Sequence, residues 1–325
     1  MRAWLCKEYG PPEKLVLEEV PNLEPGPGQV VVNVKAVGIN FPDVLIIQGL
    51  YQFKPDFPFA PGGEISGEVA ALGEGVDGVQ VGQRVMALVG NGGLAEQVVL
   101  DAGALMPVPD GVSDTVAAGF SMTYGTTYHA LVQRAELRSG ENLLVLGAAG
   151  GVGITAVELG KLLGARVIAA ASSAEKLEVA RRAGADEVVN YSEESLKDRV
   201  KELTGGNGAD VIYDPVGGDL FSQCMSCINW KGRLLVIGFA SGDIPSLAIN
   251  RVLLKGCQVV GVFWGAFTGR EPDRNRQNFA ELFELLKAGK IDPLISETFP
   301  FERGPEAISH LGARKAVGKV VVEVA

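Results

Sequence analysis

Cysteine is scarce in this 325-residue chain: Cys6, Cys224, Cys227 and Cys257 are too few and too scattered for a disulfide framework. Cys224 and Cys227 form a C-x-x-C, which fits a redox pair, half of a zinc site, or small apolar residues on one helix face. The last reading is preferred, because no second pair exists and the two histidines, His129 and His310, lie far off in sequence. Positive charge is also short. With 29 Lys and Arg against 39 Asp and Glu, the net charge is −10, which disfavours nonspecific binding to nucleic acid or anionic lipid. No apolar run is long. Leu143–Val157 is broken by glycines, ends at Glu158, and falls short of the roughly 20 residues that span a bilayer. Lys7 and Glu8 stand where a signal peptide would carry its apolar core, so a cytosolic location is expected. Sustained heptads and a three-residue glycine period are missing too, excluding coiled coil and collagen, while 47% apolar residues exclude disorder.

What the chain has in excess is glycine, 43 residues, and glycine belongs where a backbone turns tightly or comes close to a ligand. The length predicts two domains. Up to about Ser121 the sequence is rich in glycine, proline and β-branched residues. Gln29–Gly38 alternates in part, and Pro61–Gly67 reads as a turn into a strand. From Thr123 to Trp264, short apolar segments alternate with helical patterns. Strands are predicted at Leu143–Leu146, Arg166–Ala170, Glu187–Asn190, Val211–Tyr213, Arg233–Ile237 and Gln258–Val262. Helices are predicted at Gly151–Leu163, Ala174–Ala183, Ser192–Leu203 and Leu220–Asn229. Six such units predict an α/β fold with a doubly wound, Rossmann-type parallel sheet. An amphipathic helix near Asn278–Ala288 follows. The closing strand Gly318–Val324 is expected to rejoin the N-terminal region, so that residues 123–264 are an insertion into a β-rich domain made of 1–122 and 265–325.

The sharpest motif is Leu143-Leu-Val-Leu-Gly-Ala-Ala-Gly-Gly-Val-Gly153, which runs directly into a helical pattern. Here Gly150 would admit a pyrophosphate, Gly153 would let helix and strand pack closely, and the helix N–H groups would face the anion. Ala148 stands where the dinucleotide fingerprint has its first glycine. About 20 residues on, an acid would read the ribose 2′-hydroxyl of NAD. This chain has Ala170-Ala-Ser-Ser-Ala-Glu-Lys176 there, which removes a repelling charge and supplies donors from Ser172, Ser173 and Lys176. NADPH is therefore expected over NADH. Ser172 and Glu175 also fit an S-x-x-E capping box.

At this point the chain resembles the zinc-free quinone oxidoreductase, zeta-crystallin-like branch of the medium-chain dehydrogenase/reductase superfamily, over nearly its whole length. The resemblance is carried by Gly38-Ile-Asn-Phe-Pro-Asp43, Gly49-Leu-Tyr51, Pro61-Gly-Gly-Glu64, Gly82-Gln-Arg-Val85, Gly147–Gly153, Asp214-Pro-Val-Gly217, Val189-Asn-Tyr191, Gly261–Gly265 and Gly318-Lys-Val-Val321. It implies that the β-rich domain is GroES-like. Zinc-dependent members have Cys where Asn40 stands and His where Gly63 stands, with a four-cysteine lobe that is missing after Val89. Glu64 alone cannot hold a catalytic zinc, which needs about three protein ligands.

The resemblance further implies that Asn40 and Thr126 hold the nicotinamide end and that Gly150, Gly151, Val152 and Gly153 hold the pyrophosphate. Ser172, Lys176 and Tyr191 are expected around the 2′-phosphate, with Val216, Phe239, Ala240, Phe263 and Arg314 lining the rest of the cofactor groove. The segment Asp43–Tyr51 would wall the substrate pocket, so the candidate catalytic residues are Asn40, Asp43 and Tyr51, with Tyr51 donating to the acceptor oxygen. Leu45 and Ile47 replace the Tyr and Arg of many relatives and make this wall apolar. The implied activity is hydride transfer from NADPH to a quinone or similar conjugated carbonyl without zinc. Reduction of activated C=C bonds in an enal or enone, and a crystallin-like protein that holds NADPH without turnover, are the alternatives. A homodimer joined through Gln258–Val262 is the expected assembly.

Overall fold

In the computed structural model, which describes residues 1–324, the chain divides into two compact units: Met1–Met122 with the chain from Pro293 onward, and Thr123–Asp292. In chain order the first unit holds β1 (Arg2–Leu5), β2 (Val16–Glu19), β3 (Gln29–Ile39), α1 (Phe41–Ile46), β4 (Glu64–Leu72), β5 (Arg84–Leu88), β6 (Gln97–Asp101), β7 (Met106–Pro107) and α2 (Asp114–Ala118). Helix α3 (Ser121–Tyr128) leads into β8 (Asn142–Leu146), α4 (Gly151–Leu162), β9 (Arg166–Ala171), α5 (Ala174–Arg182), β10 (Glu187–Asn190), α6 (Leu196–Leu203), β11 (Ala209–Asp214), α7 (Asp219–Cys227), β12 (Ile228–Val236), α8 (Asn250–Lys255), β13 (Gln258–Gly261), α9 (Trp264–Arg270) and α10 (Pro272–Lys287). The chain then returns with β14 (Ile295–Pro300), α11 (Gly304–Gly312) and β15 (Lys319–Glu323).

The first unit is β-rich, as its alternation and turn residues predict. Its main sheet runs β14-β15-β3-β4-β5-β7, with β6 also paired to β3. Strand β3 is long and buried because its valines pack on β-strand neighbours along most of its length, among them Val30, Val32, Val37, Ile65, Val69, Val320 and Val322. Register pairs Ile39 with Val320 and Gly38 with Glu64. The end of β3, the start of β4 and the start of β15 therefore meet at one end of the central strands, where α1 begins.

The second unit is a six-stranded sheet ordered β10-β9-β8-β11-β12-β13, with every pairing parallel. Its central strands are covered on both faces, so Leu143–Leu146 reads as a continuous apolar run and not as an alternation. The strand order reverses between β8 and β11, a topological switch point.

Three expectations shift. The second unit runs on to Asp292, past the boundary at 264 read from the sequence, because the segment after Trp264 packs within it. Trp264 meets Phe279, Phe267 stacks on His129 at 3.9 Å, and Asn278 bonds Gln133 at 2.6 Å. Helix α7 stops at Cys227 and β12 starts at Ile228, well before Arg233, since Ile228 is buried and pairs with Ala209. The cap of α5 is Ser173, whose Oγ accepts from the Lys176 N–H, so the S-x-x-E box at Ser172 is displaced by one residue. Among the described residues no helix is long and apolar enough to cross a membrane.

Candidate active site

Four polar side chains converge where β3 ends. Glu64 is fully buried, and Lys319, Asn40 and Asp43 are 5%, 6% and 2% exposed. The chain leaves β3 at Asn40, and α1 starts at once because Asp43 sits at its third position and accepts the Asn40 backbone N–H at 2.8 Å. The other Asp43 oxygen accepts the Gly62 N–H at 3.1 Å. Gly62 has φ +94, and a Cβ there would lie 2.8 Å from the Leu94 nitrogen, so only glycine delivers this donor. Burial raises the Asp43 carboxyl to about 6, against the two N–H donors and the Lys319 charge, which pull it down.

Lys319 Nζ donates to Asn40 Oδ1 at 2.7 Å, Glu64 Oε2 at 3.1 Å and the Ile39 carbonyl at 3.1 Å. Asn40 Nδ2 donates to Glu64 Oε2 at 2.9 Å and to the Gly38 carbonyl at 3.1 Å. The remaining Glu64 oxygen accepts the Met122 backbone N–H at 2.8 Å. Tyr51 is half-buried, and burial, followed by the Asp43 charge, raises its phenol. Asn40 and Asp43 thus lie together at the start of α1, and Tyr51 lies within reach of the Asp43 charge. Arg314 lies in the same unit, just past α11, in a left-handed conformation. Lys319 and its pairing with Glu64 were not expected from the sequence. The available signal was a charged residue opening the apolar run of β15. Among the described residues no three His, Cys, Asp or Glu side chains gather as a metal-binding group.

The second unit carries the glycine turn. Helix α4 starts at Gly151, directly after β8, beside the switch point. Its N-cap is Gly150, which has no side chain to cap with, so the N–H groups of the first turn are left for another acceptor. Gly153 sets how closely helix and strand approach: a Cβ there would lie 2.1 Å from the Gly147 carbonyl oxygen. Opposite, Asp214 ends β11 and folds the next loop by accepting from the N–H groups of Val216 at 2.9 Å and Gly217 at 2.8 Å. Ser241 N–H reaches the Val216 carbonyl and Ala240 N–H the Pro215 carbonyl, so Val216, Phe239 and Ala240 share one cluster at the strand ends.

Ser172 follows the end of β9, and the Tyr191 N–H bonds the Ala171 carbonyl at 3.2 Å, which sets both at neighbouring strand ends with Lys176 on the first turn of α5. Thr126 is half-buried on α3, and the next residue, Thr127, joins a buried hydroxyl chain with Thr155 at 2.7 Å and Tyr213 at 2.9 Å. Phe263 is exposed at the start of α9. Cys224 and Cys227 are buried on α7, and burial pushes both thiols up, Cys227 to about 11, which suits small core residues and not a redox pair.

Residues 26–110 match the alcohol dehydrogenase GroES-like domain, and residues 151–288 match the zinc-binding dehydrogenase family. The quinone oxidoreductase-like protein 2 homolog of Nematostella vectensis is 43% identical over 325 residues, covering 99% of this chain and 88% of that protein. The quinone oxidoreductase of Thermus thermophilus, solved alone and with NADPH, is 36% identical, with a TM-score of 0.86 and full coverage of both chains. The Escherichia coli quinone oxidoreductase complexed with NADPH is 29% identical, with a TM-score of 0.93 and full coverage of both chains.

Proposed function

This chain belongs to the quinone oxidoreductase-like proteins of the zinc-binding dehydrogenase family, and on that premise we propose that it is an NADPH-dependent reductase of quinones or similar conjugated carbonyls, working without a metal. The observation that carries the reading is the uncapped glycine start of α4 at the switch point, followed at the end of β9 by Ser172 and Ser173 in place of an acid. When bound, NADPH supplies a hydride from C4 of its nicotinamide, and with one proton from water the acceptor is reduced by two electrons.

The chain's own residues supply binding and orientation. The N–H groups of Gly151, Val152 and Gly153 hold the pyrophosphate, and Ser172, Lys176 and Tyr191 the 2′-phosphate. Val216, Phe239, Ala240 and Phe263 line the groove of the second unit. Thr126 serves the nicotinamide end of that groove. The Tyr51 hydroxyl donates to the acceptor oxygen as negative charge develops there. Asp43, held by two backbone N–H groups, fixes the entry to α1 and so the wall on which Tyr51 stands.

The test is NADPH oxidation with a quinone and with an enal, with NADH as the matched control. The expected result is a preference for NADPH of about 10-fold or more in kcat/KM and faster quinone reduction. Equal use of NADH overturns the reading of Ser172 and Lys176. A faster enal makes the chain a C=C reductase, and tight NADPH binding without turnover makes it a binding protein. We also propose a homodimer joined through β13. This edge strand bears exposed Val259, with exposed Trp230, Leu253 and Leu254 on the elements just before it. Sedimentation gives the mass directly, and a monomer at micromolar concentration overturns this assembly.

A further inference from the structure

The buried hydroxyls of Thr127, Thr155 and Tyr213 have no part in the chemistry above, yet they join three elements of the second unit. Thr127 lies on α3 next to Thr126, Thr155 in the second turn of α4, and Tyr213 near the end of β11. Burial raises the Tyr213 phenol, which therefore stays protonated and has a hydrogen to give. Each hydroxyl carries one hydrogen. The Tyr213–Thr127 and Thr127–Thr155 contacts use two of the three, so one is left for a carbonyl. The Val152 carbonyl is nearest, 3.0 Å from Thr155 Oγ1 and 3.3 Å from Thr127 Oγ1, with that of Thr123 at 3.4 Å from Thr155 Oγ1. The chain thus ends on the first turn of α4, among the residues whose N–H groups follow Gly150.

Consecutive strand residues face opposite sides of a sheet. At the end of β11, Tyr213 reaches α3 and, through Thr127, α4, while Asp214 accepts from the N–H groups of Val216 and Gly217. One strand end at the switch point therefore pegs both lips of the second unit's groove, the glycine turn on one side and the Val216 loop on the other. Buried hydroxyls are a poor source of net stability, since each gives up water to make its bond and apolar side chains of the same shape can do as well. What a closed network adds is a single arrangement. Resting on the reductase reading above, we propose that the Thr127–Thr155–Tyr213 chain is a positioning device for the cofactor. It fixes where the first turn of α4 stands against β11 and α3, and so where the N–H groups of Gly151, Val152 and Gly153 meet a pyrophosphate. All three hydroxyls are buried too deeply to touch the cofactor, and they act through the backbone of α4.

The experiment compares the wild type with Tyr213→Phe, the double variant T127V/Y213F, and Thr127→Ser. The first two remove hydroxyls and keep the bulk, and neither leaves a buried hydroxyl without a partner, because Thr155 still bonds the Val152 carbonyl. Thr127→Ser keeps the hydroxyl and trims a methyl. Two ligands separate placement of the turn from general damage: NADPH, and adenosine 2′-monophosphate, which has the 2′-phosphate and no pyrophosphate. In Tyr213→Phe and T127V/Y213F the NADPH dissociation constant is expected to rise about 10-fold, as for one lost hydrogen bond, while that of the monophosphate stays at the wild-type value. Thr127→Ser is expected to bind NADPH within about 2-fold of the wild type, and the denaturant midpoints of all three to stay close to it.

An equal loss of both ligands overturns the proposal, and so does a Thr127→Ser chain that binds NADPH as weakly as the double variant, since packing and not the hydroxyls then sets affinity. Failure of Tyr213→Phe and T127V/Y213F to fold overturns it too, because the chain then serves stability. Failure of the reductase reading looks different. A wild type that binds neither ligand overturns that reading and this inference with it, whereas NADPH affinity that survives unchanged in a folded double variant overturns this inference alone.

Discussion

The turn after β8 and the cluster around Glu64 meet polar demands by opposite means. The turn is made of backbone. Its donors are the N–H groups of Gly151–Gly153, all within a few residues, and its shape depends on side chains that are absent. The cluster is made of side chains brought from α1, β4 and β15, and its donors and acceptors are consumed internally. A backbone site is fixed by local sequence and is open to a ligand. A side-chain site depends on long-range pairing, and most of its capacity goes to holding itself.

This contrast breaks most sharply at Lys319. Lys319→Met leaves Glu64 charged, buried and without its cation, and is expected to cost about 3–5 kcal/mol in denaturant unfolding. K319M/E64L should recover most of that loss; if it does not, the cluster is held by more than charge compensation. Gly153→Val tests the backbone side. With Gly147 at 2.1 Å from the added carbon, the turn cannot close, and a stability loss of about 3 kcal/mol is expected. NADPH affinity should fall at least about 100-fold, and titration with adenosine 2′,5′-bisphosphate should show the same loss.

The pH dependence of stability sharpens the comparison further. The Asp43 carboxyl is raised from 3.8 to about 6, so between those values the folded state keeps a proton that the unfolded chain has lost. The contribution is complete below 3.8 and disappears as pH rises through 6, a negative slope worth up to about 3 kcal/mol. Unfolding measured across that interval should show it, and Asp43→Asn should flatten it. A slope that persists in the variant assigns it elsewhere, with Asp214, also raised by burial, the group in the second unit to examine. The smallest effect is expected from Tyr51→Phe, about 10-fold in turnover at saturating NADPH. Unchanged turnover removes the hydroxyl from the reaction.

The second unit was largely legible in the sequence because each of its strands is a short apolar run and each helix follows within a few residues. Where expectation slipped, a local competition decided the boundary. Ser173 won the cap from Ser172 by taking the extended conformation, and Ile228 ended α7 by turning into the core. The positions of Ser172, Tyr191 and Val216 just past the ends of β9, β10 and β11 were legible for the same reason. In the first unit Asn40 and Asp43 were legible as a motif, whereas their partners were not. Nothing local to Gly318-Lys-Val says that this lysine folds inward, because the reason lies in Glu64 and in the register that pairs Val320 with Ile39.

The position of β15 also carries a consequence for synthesis. The second unit is complete in sequence before Lys319 is made, so a nascent chain halted short of β15 holds every strand of the parallel sheet and the whole glycine turn. The first unit at that moment has Glu64 and Asn40 without the cation that orders them. The Glu64 cluster thus closes last, with β15, while the glycine turn after β8 is complete earlier on the ribosome.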